Sequence, residues 1–187
     1  MKYTYFRLVL AVLLFLGGWQ IVSAETNELM VRCVAFYNLE NVFDTIHDEG
    51  KNDYEYLPDG GMKWTSLKYT NKIQNMAYAI AQLGTDEDPR GAAIVGVSEV
   101  ENIGCLHDLC KELKEKHNRN YVPILLEGPD RRGIDVGLLY NPDMFKPVGK
   151  PKGYELKAHY ADGGVVRSRL QLWVSGYMLD DSRKIVM

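Results

Sequence analysis

Two stretches of this chain end in side chains that could do chemistry. Residues 94–102 read Ile-Val-Gly-Val-Ser-Glu-Val-Glu-Asn, an apolar, β-branched run that stops abruptly at Glu99, with Glu101 and Asn102 behind it. A short run bounded by polar residues is the pattern of a buried strand in an α/β sheet. The carboxyl ends of such strands open into the crevice where α/β proteins bind ligands. Glu99 stands where a metal-binding or catalytic acid would be useful. Taken alone, though, the stretch is better read as an ordinary acidic loop after a strand.

A second stretch ends in the same way. Residues 29–37 are almost continuously apolar apart from Arg32 and read as a central strand. They run into Asn38-Leu39-Glu40-Asn41-Val42-Phe43-Asp44. A third candidate is the loop at 127–133, which carries Arg131 and Arg132. It is either a solubilising loop or a place where a planar guanidinium meets phosphate.

These residues need elements to hold them. Ser66 is a helix cap, and Ile73, Met76, Ala77, Ile80 and Leu83 follow at the spacing of one helical face, with Gly84 as the stop. Asn102 caps a second helix with Ile103, Leu106, Leu109 and Leu113 inward and a run of Lys and Glu outward. Strands are expected at 121–126 and 134–140, joined by the arginine loop. Residues 166–178 alternate as one long strand, followed by a turn at 180–182 and a returning strand. Strand, helix, strand, helix is the order of a layered α/β domain. Residues 45–64, rich in Asp, Glu, Gly and Tyr, read as a solvated loop with Trp64 packed beneath it.

Composition narrows the function. The net charge of -3 and 25% charged residues argue against bulk attraction to nucleic acid. They leave room for a phosphate-bearing substrate, since a bound cation can supply the positive charge. The three cysteines read as small core residues, and the four histidines are too scattered for a zinc site. Lys2 and Arg7 ahead of an apolar run at 8–16, then Val22-Ser23-Ala24, have the layout of a secretory signal peptide cleaved after Ala24. The run is too short to span a bilayer. The protein is expected to be exported to the periplasm or beyond, with no stable membrane span after cleavage. Residues 25–187 are left to form one domain.

Three segments in order carry a resemblance: 38–44, 97–102 and Asp130-Arg131-Arg132-Gly133-Ile134-Asp135-Val136-Gly137-Leu138-Leu139-Tyr140. Together they resemble the endonuclease/exonuclease/phosphatase superfamily, most closely its secreted bacterial members. The resemblance implies a DNase I-like fold: an α/β four-layer sandwich of two mixed β-sheets flanked by helices. It also implies hydrolysis of phosphodiesters or phosphomonoesters with Mg²⁺ (or Mn²⁺), on substrates from nucleic acids to small phosphodiesters. By position, Glu99 resembles the metal-ligand glutamate and Asn38 the asparagine beside metal and scissile phosphate. Both are thus catalytic candidates. Arg132 and Asp135 match a strand-entry segment and are given a substrate-binding role.

Two later motifs of that family, Gly-Asp-x-Asn and Asp-His, do not occur in these 187 residues. The chain is therefore expected to be the N-terminal part of such a domain, inactive by itself. The alternative is a non-catalytic relative that binds phosphate or nucleic acid.

Overall fold

The computed structural model describes residues 31–156, 158–166, 168–179 and 184–186. The signal-peptide segment, residues 29–30 and the turn at 180–182 lie outside them. Among the described residues the fold is mixed α/β, with several sheets and two α-helices, as expected for the DNase I-like class.

Strand β1 (Val34–Val42), helix α1 (Ser66–Ala81), β2 (Ile94–Val100) and helix α2 (Ile103–His117) come first, followed by β3 (Val122–Leu125) and β4 (Asp135–Tyr140). The four strands form one mixed sheet in the order β1-β2-β4-β3. β1 and β2 are parallel, connected through α1, while β4 runs antiparallel to both β2 and β3.

The first strand differs from expectation in two ways. It spans Val34–Val42 rather than 29–37, so it runs through the Asn38 motif instead of stopping before it. It is also an edge strand, not a central one. Ala35 and Tyr37 pack toward the helices, whereas Phe36 on the opposite face is 67% exposed.

The helices form for local reasons. Thr65, one residue before the expected cap, accepts from the Lys68 backbone N–H, and Ile73, Ala77, Ile80 and Ala81 make the buried stripe. Gly84, at φ +73°, turns the chain away, and a Cβ there would strike Cys33. Asn102 caps α2 through the Cys105 N–H, and its last turn carries Lys114, Lys116 and His117, which suit the negative end of the helix dipole. Ile103 lies 39% exposed rather than inward, and Cys105 and Cys110 take core positions. Among the described residues, no helix is long and apolar enough to cross a membrane.

Both helices cover one face of the sheet, enclosing Val95, Val97, Leu106, Leu109 and Leu139. The other face presents Ile94 and Leu138 to Met144, Phe145, Val174 and Met178. Those residues lie in or immediately before β5 (Phe145–Pro147) and β10 (Ser175–Met178), which pair with each other and, through β10, with β11 (Lys184–Val186). Two small ladders complete the described chain: β6 (Lys152–Tyr154) with β9 (Gln171–Trp173), and β7 (Ala158–His159) with β8 (Val165–Val166).

The single alternating strand expected over 166–178 is thus broken across three sheets. Leu170 seats itself against the flat faces of Gly128 and Gly153, and Val174 turns into the core between β9 and β10. Period-2 alternation reports which side a residue faces, not whether the ladder is continuous.

Candidate active site

The site grows from the register of two strands. Asn38 of β1 stands opposite Ser98 of β2, and the Ser98 hydroxyl donates to Asn38 Oδ1 at 3.2 Å. Both strands bulge immediately afterwards. β1 turns left-handed at Glu40 and Asn41 (φ 54° and 62°), and β2 does so at Glu99 (φ 63°). Left-handed backbone at a non-glycine residue costs of order 1 kcal/mol and concentrates where function requires it. Here it lifts Glu99 out of the ladder between Ser98 and Val100, which pair with Val136 and Asp135 of β4.

Glu99 keeps about a fifth of its side chain exposed, 21%. Its one ion-pair contact among the described residues is with Arg169, whose Nη2 lies 3.6 Å from Glu99 Oε1. Arg169 Nε lies 4.0 Å from Asp130 Oδ2 and makes no hydrogen bond. Asn38 Oδ1 also accepts from the Glu40 N–H at 3.0 Å, so this oxygen already holds two bonds. Lys72, which donates to the Glu40 carbonyl, is pushed down by burial against the opposing pull of Glu40 and Glu99.

The two arginine-loop candidates fall apart spatially. Arg132 reaches back to Asn41 Oδ1 at 3.3 Å and sits 3.9 Å from Asp130, bracing the β1 bulge. Asp135, expected to face substrate, is 1% exposed and neither carboxylate oxygen has a hydrogen bond. Its surroundings are Gly128, the Leu170 backbone beyond it, and Lys51. Burial pushes the Asp135 carboxyl up to about 6, with the Gly128 backbone and Lys51 pulling the other way.

The loop at 45–64 is more structured than its composition suggests. It contains a 3-10 turn at Tyr54–Tyr56. Asp53 is buried, accepting from the Asp48 N–H and contacting His47 Nδ1 at 2.5 Å. Trp64 donates to the Phe43 carbonyl, and Tyr56 stacks on Phe43, giving this rim an aromatic floor as expected for Trp64. Asn52 and Lys51 tie it to Arg131 and Gly128 across the site.

Arg169 was not foreseen. It occupies the polar side of an alternating run, where an arginine carries no signal of its own. Beside it lies a cavity of about 650 Å³ on the sheet face away from the helices, lined by Phe36, Gly96, Val136, Leu138 and Leu172.

A second acidic group lies close by in sequence. Asp44, Glu101 and Cys105 bring one ligand atom each within 4.8 Å of one another. Glu101 is 2% exposed, accepts from the Asp44 N–H at 2.7 Å, and lies 3.4 Å from Asn102 Nδ2. Burial pushes its carboxyl up to about 8, helped by Asp44, Asp48 and Asp53. Burial likewise pushes the Cys105 thiol up to about 12.

Residues 33–187 match the endonuclease/exonuclease/phosphatase family. The chain belongs to that family. No curated protein matches it. Among solved structures it is similar to an endonuclease/exonuclease/phosphatase from Bacteroides vulgatus, at 16% identity and TM-score 0.47, over 81% of this chain and 48% of that one. It is similar also to a mannosyl-6-phosphatase from Bacteroides thetaiotaomicron, at 18% identity and TM-score 0.46, over 82% and 48%. A functionally unknown conserved protein from Enterococcus faecalis matches at 15% identity and TM-score 0.45, over 82% and 50%. The chain spans about half the length of these structures.

Proposed function

We propose that this chain supplies the metal-binding part of a divalent-metal-dependent phosphoester hydrolase, with Glu99 as the metal ligand. The observation that carries the reading is the left-handed bulge that presents Glu99, unbonded, beside Asn38 and Ser98. The donor set fits Mg²⁺ or Mn²⁺: these hard cations take carboxylate and amide oxygens and keep several waters, so one carboxylate in an open position suffices. The Asp44, Glu101 and Cys105 group fits them poorly. Its sulfur is a soft donor held as a thiol, and Glu101 already accepts the Asp44 N–H.

A bound cation would polarise a phosphoryl oxygen and offset the charge that develops on it. The chain's own residues then position the ester. Since Asn38 Oδ1 holds two bonds already, the role left to this amide is donation from its nitrogen to a phosphate oxygen. Arg132 acts through Asn41 by keeping β1 bulged, and Asp135 supports the loop behind Arg169 without touching substrate. The substrate class is a phosphoester, a small phosphodiester or nucleic acid included. The acidic balance favours the smaller substrate over long duplex DNA.

The 187 residues alone are expected to bind metal without turning substrate over, because no Gly-Asp-x-Asn or Asp-His motif is present to activate water. That absence is also what favours the second reading, a phosphate-binding relative without catalysis. Mn²⁺ titration followed by electron paramagnetic resonance tests the metal site in this chain. Hydrolysis of bis-p-nitrophenyl phosphate by a form that carries both motifs tests the activity. Glu99→Gln should abolish Mn²⁺ binding; unchanged binding refutes the ligand role. Residues 1–24 motivate a further proposal of export, tested by whether the mature protein begins at Glu25.

A further inference from the structure

Arg169 is close to two carboxylates and hydrogen-bonded to neither. Its Nη2 stands 3.6 Å from Glu99 Oε1 and its Nε 4.0 Å from Asp130 Oδ2, both beyond the 2.7–2.9 Å of a true guanidinium–carboxylate bond. The Nε is buried with no acceptor at all. A guanidinium carries five donors in a planar fork, and a buried donor left unmade is unusual. The side chain borders a cavity of about 650 Å³ whose other walls are mostly apolar, Phe36, Val136, Leu138 and Leu172 among them. The polar lining besides Arg169 is Asp130, Ser168 and Gln171, and the apolar remainder strengthens any charge interaction made there.

Glu99 cannot serve a divalent cation and a guanidinium equally. Two positive species on one carboxylate repel each other, so the cation displaces Arg169 when it binds. The displaced fork then has Asp130 on one side and the cavity on the other. A tetrahedral oxyanion in that cavity would satisfy both the freed Nη2 and the orphaned Nε.

We propose that Arg169 is an anion-binding arm held in reserve by Glu99, released to a phosphoryl oxygen when a divalent cation takes over that carboxylate. This rests on the metal-ligand reading of Glu99 and adds an order to it: cation first, anion second. Binding of the two is then coupled, each strengthening the other by the same factor. Before the cation arrives Arg169 faces the Glu99 and Asp130 carboxylates, whose negative charge keeps stray anions out.

The test uses the whole chain with inorganic phosphate and Mn²⁺ as probes, with circular dichroism confirming that each variant is folded. Isothermal titration should show weak phosphate binding without metal, and about tenfold or more tightening at saturating Mn²⁺. Arg169→Gln should remove most of that tightening, and should tighten Mn²⁺ about threefold in phosphate-free buffer because the competitor is gone. Arg169→Lys, which keeps the charge without the fork, should fall between the two.

One arm of the experiment needs no metal. Glu99→Gln should raise phosphate affinity in metal-free buffer, and Glu99→Gln with Arg169→Gln should not. If the double variant gains as much as the single one, the gain is only lost negative charge and the reserve-arm proposal is overturned. It is overturned equally if Arg169→Gln leaves the Mn²⁺-driven tightening intact. If instead Glu99→Gln leaves Mn²⁺ binding unchanged, the metal-ligand reading fails, and the cation-first order fails with it. A metal-free gain through Arg169 would then survive as an anion site alone.

Discussion

Glu99 and Glu101 are two residues apart at the end of one strand, and they have been made into opposite things. Glu99 is partly open and holds no hydrogen bond, its Oε1 3.6 Å from the Arg169 guanidinium. Glu101 is sealed, holds the Asp44 N–H at 2.7 Å, and is pushed by burial up to about 8. The left-handed turn at Glu99 makes the difference. It rotates one carboxylate out over the open face while Val100 and Glu101 rejoin the core and hold the neighbouring loop. Identical side chains at adjacent odd positions would ordinarily share a face of a strand. A bulge breaks that equivalence.

The largest effect expected from this contrast is on metal. Glu99→Ala should weaken Mn²⁺ binding about a hundredfold or more, and Glu101→Gln by less than about threefold, since a sealed carboxyl already holding the Asp44 N–H offers a cation little. Equal losses in the two variants would mean the pair had been read the wrong way round.

Stability should invert the order. Glu101→Ala strands the Asp44 N–H and opens a hole beside Cys105, costing about 2 kcal/mol in urea unfolding, whereas Glu99→Ala should cost almost nothing.

A third carboxylate sharpens the comparison. Asp135 is as buried as Glu101 but has no hydrogen bond on either oxygen. Burial raises its folded-state value to about 6, above the ordinary carboxylate range of about 4 that applies when unfolded. Between those values the folded state binds more protons than the unfolded one. Its contribution is therefore favourable near pH 4 and is lost as pH rises through about 6. Asp135→Asn should stabilise the protein at pH 7 by about 1–2 kcal/mol and flatten the melting temperature between pH 4 and 7. Parallel curves for the two proteins would remove Asp135 from this account.

These differences explain what could and could not be read from the sequence. The two helices and the order of β1, β2 and β4 follow from apolar periodicity and caps, because burial of one face imposes that pattern directly. That Asn38 and Glu99 come from neighbouring strand ends was legible because polar residues interrupt two apolar runs at equivalent points. The bulges were not, since Glu and Asn rather than Gly carry the positive φ and leave no mark on composition. Arg169 was hidden because the strand expected over 166–178 is three short pieces, and Leu170, beside it, settles on Gly128 and Gly153. The burial of Asp135 was not legible because sequence adjacency to Arg132 says nothing about which side of β4 it occupies.

The smallest effect is the most direct test of the bulge itself. At φ 63° Glu99 pays for a conformation that glycine adopts freely, and a bulge that exists to present the carboxylate has no other claim on that strain. Glu99→Gly keeps the backbone path and deletes only the side chain. It should stabilise the fold by about 0.5–1 kcal/mol, the relief of strain being partly offset by the wider freedom of glycine in the unfolded chain. Mn²⁺ binding should be lost as fully as in Glu99→Ala. Stability gained while metal is lost identifies the strain as belonging to function. If Glu99→Gly unfolds at lower urea than the wild type, the left-handed turn is held by contacts of the Glu99 side chain, and Arg169 is then a structural partner of Glu99 instead of its competitor.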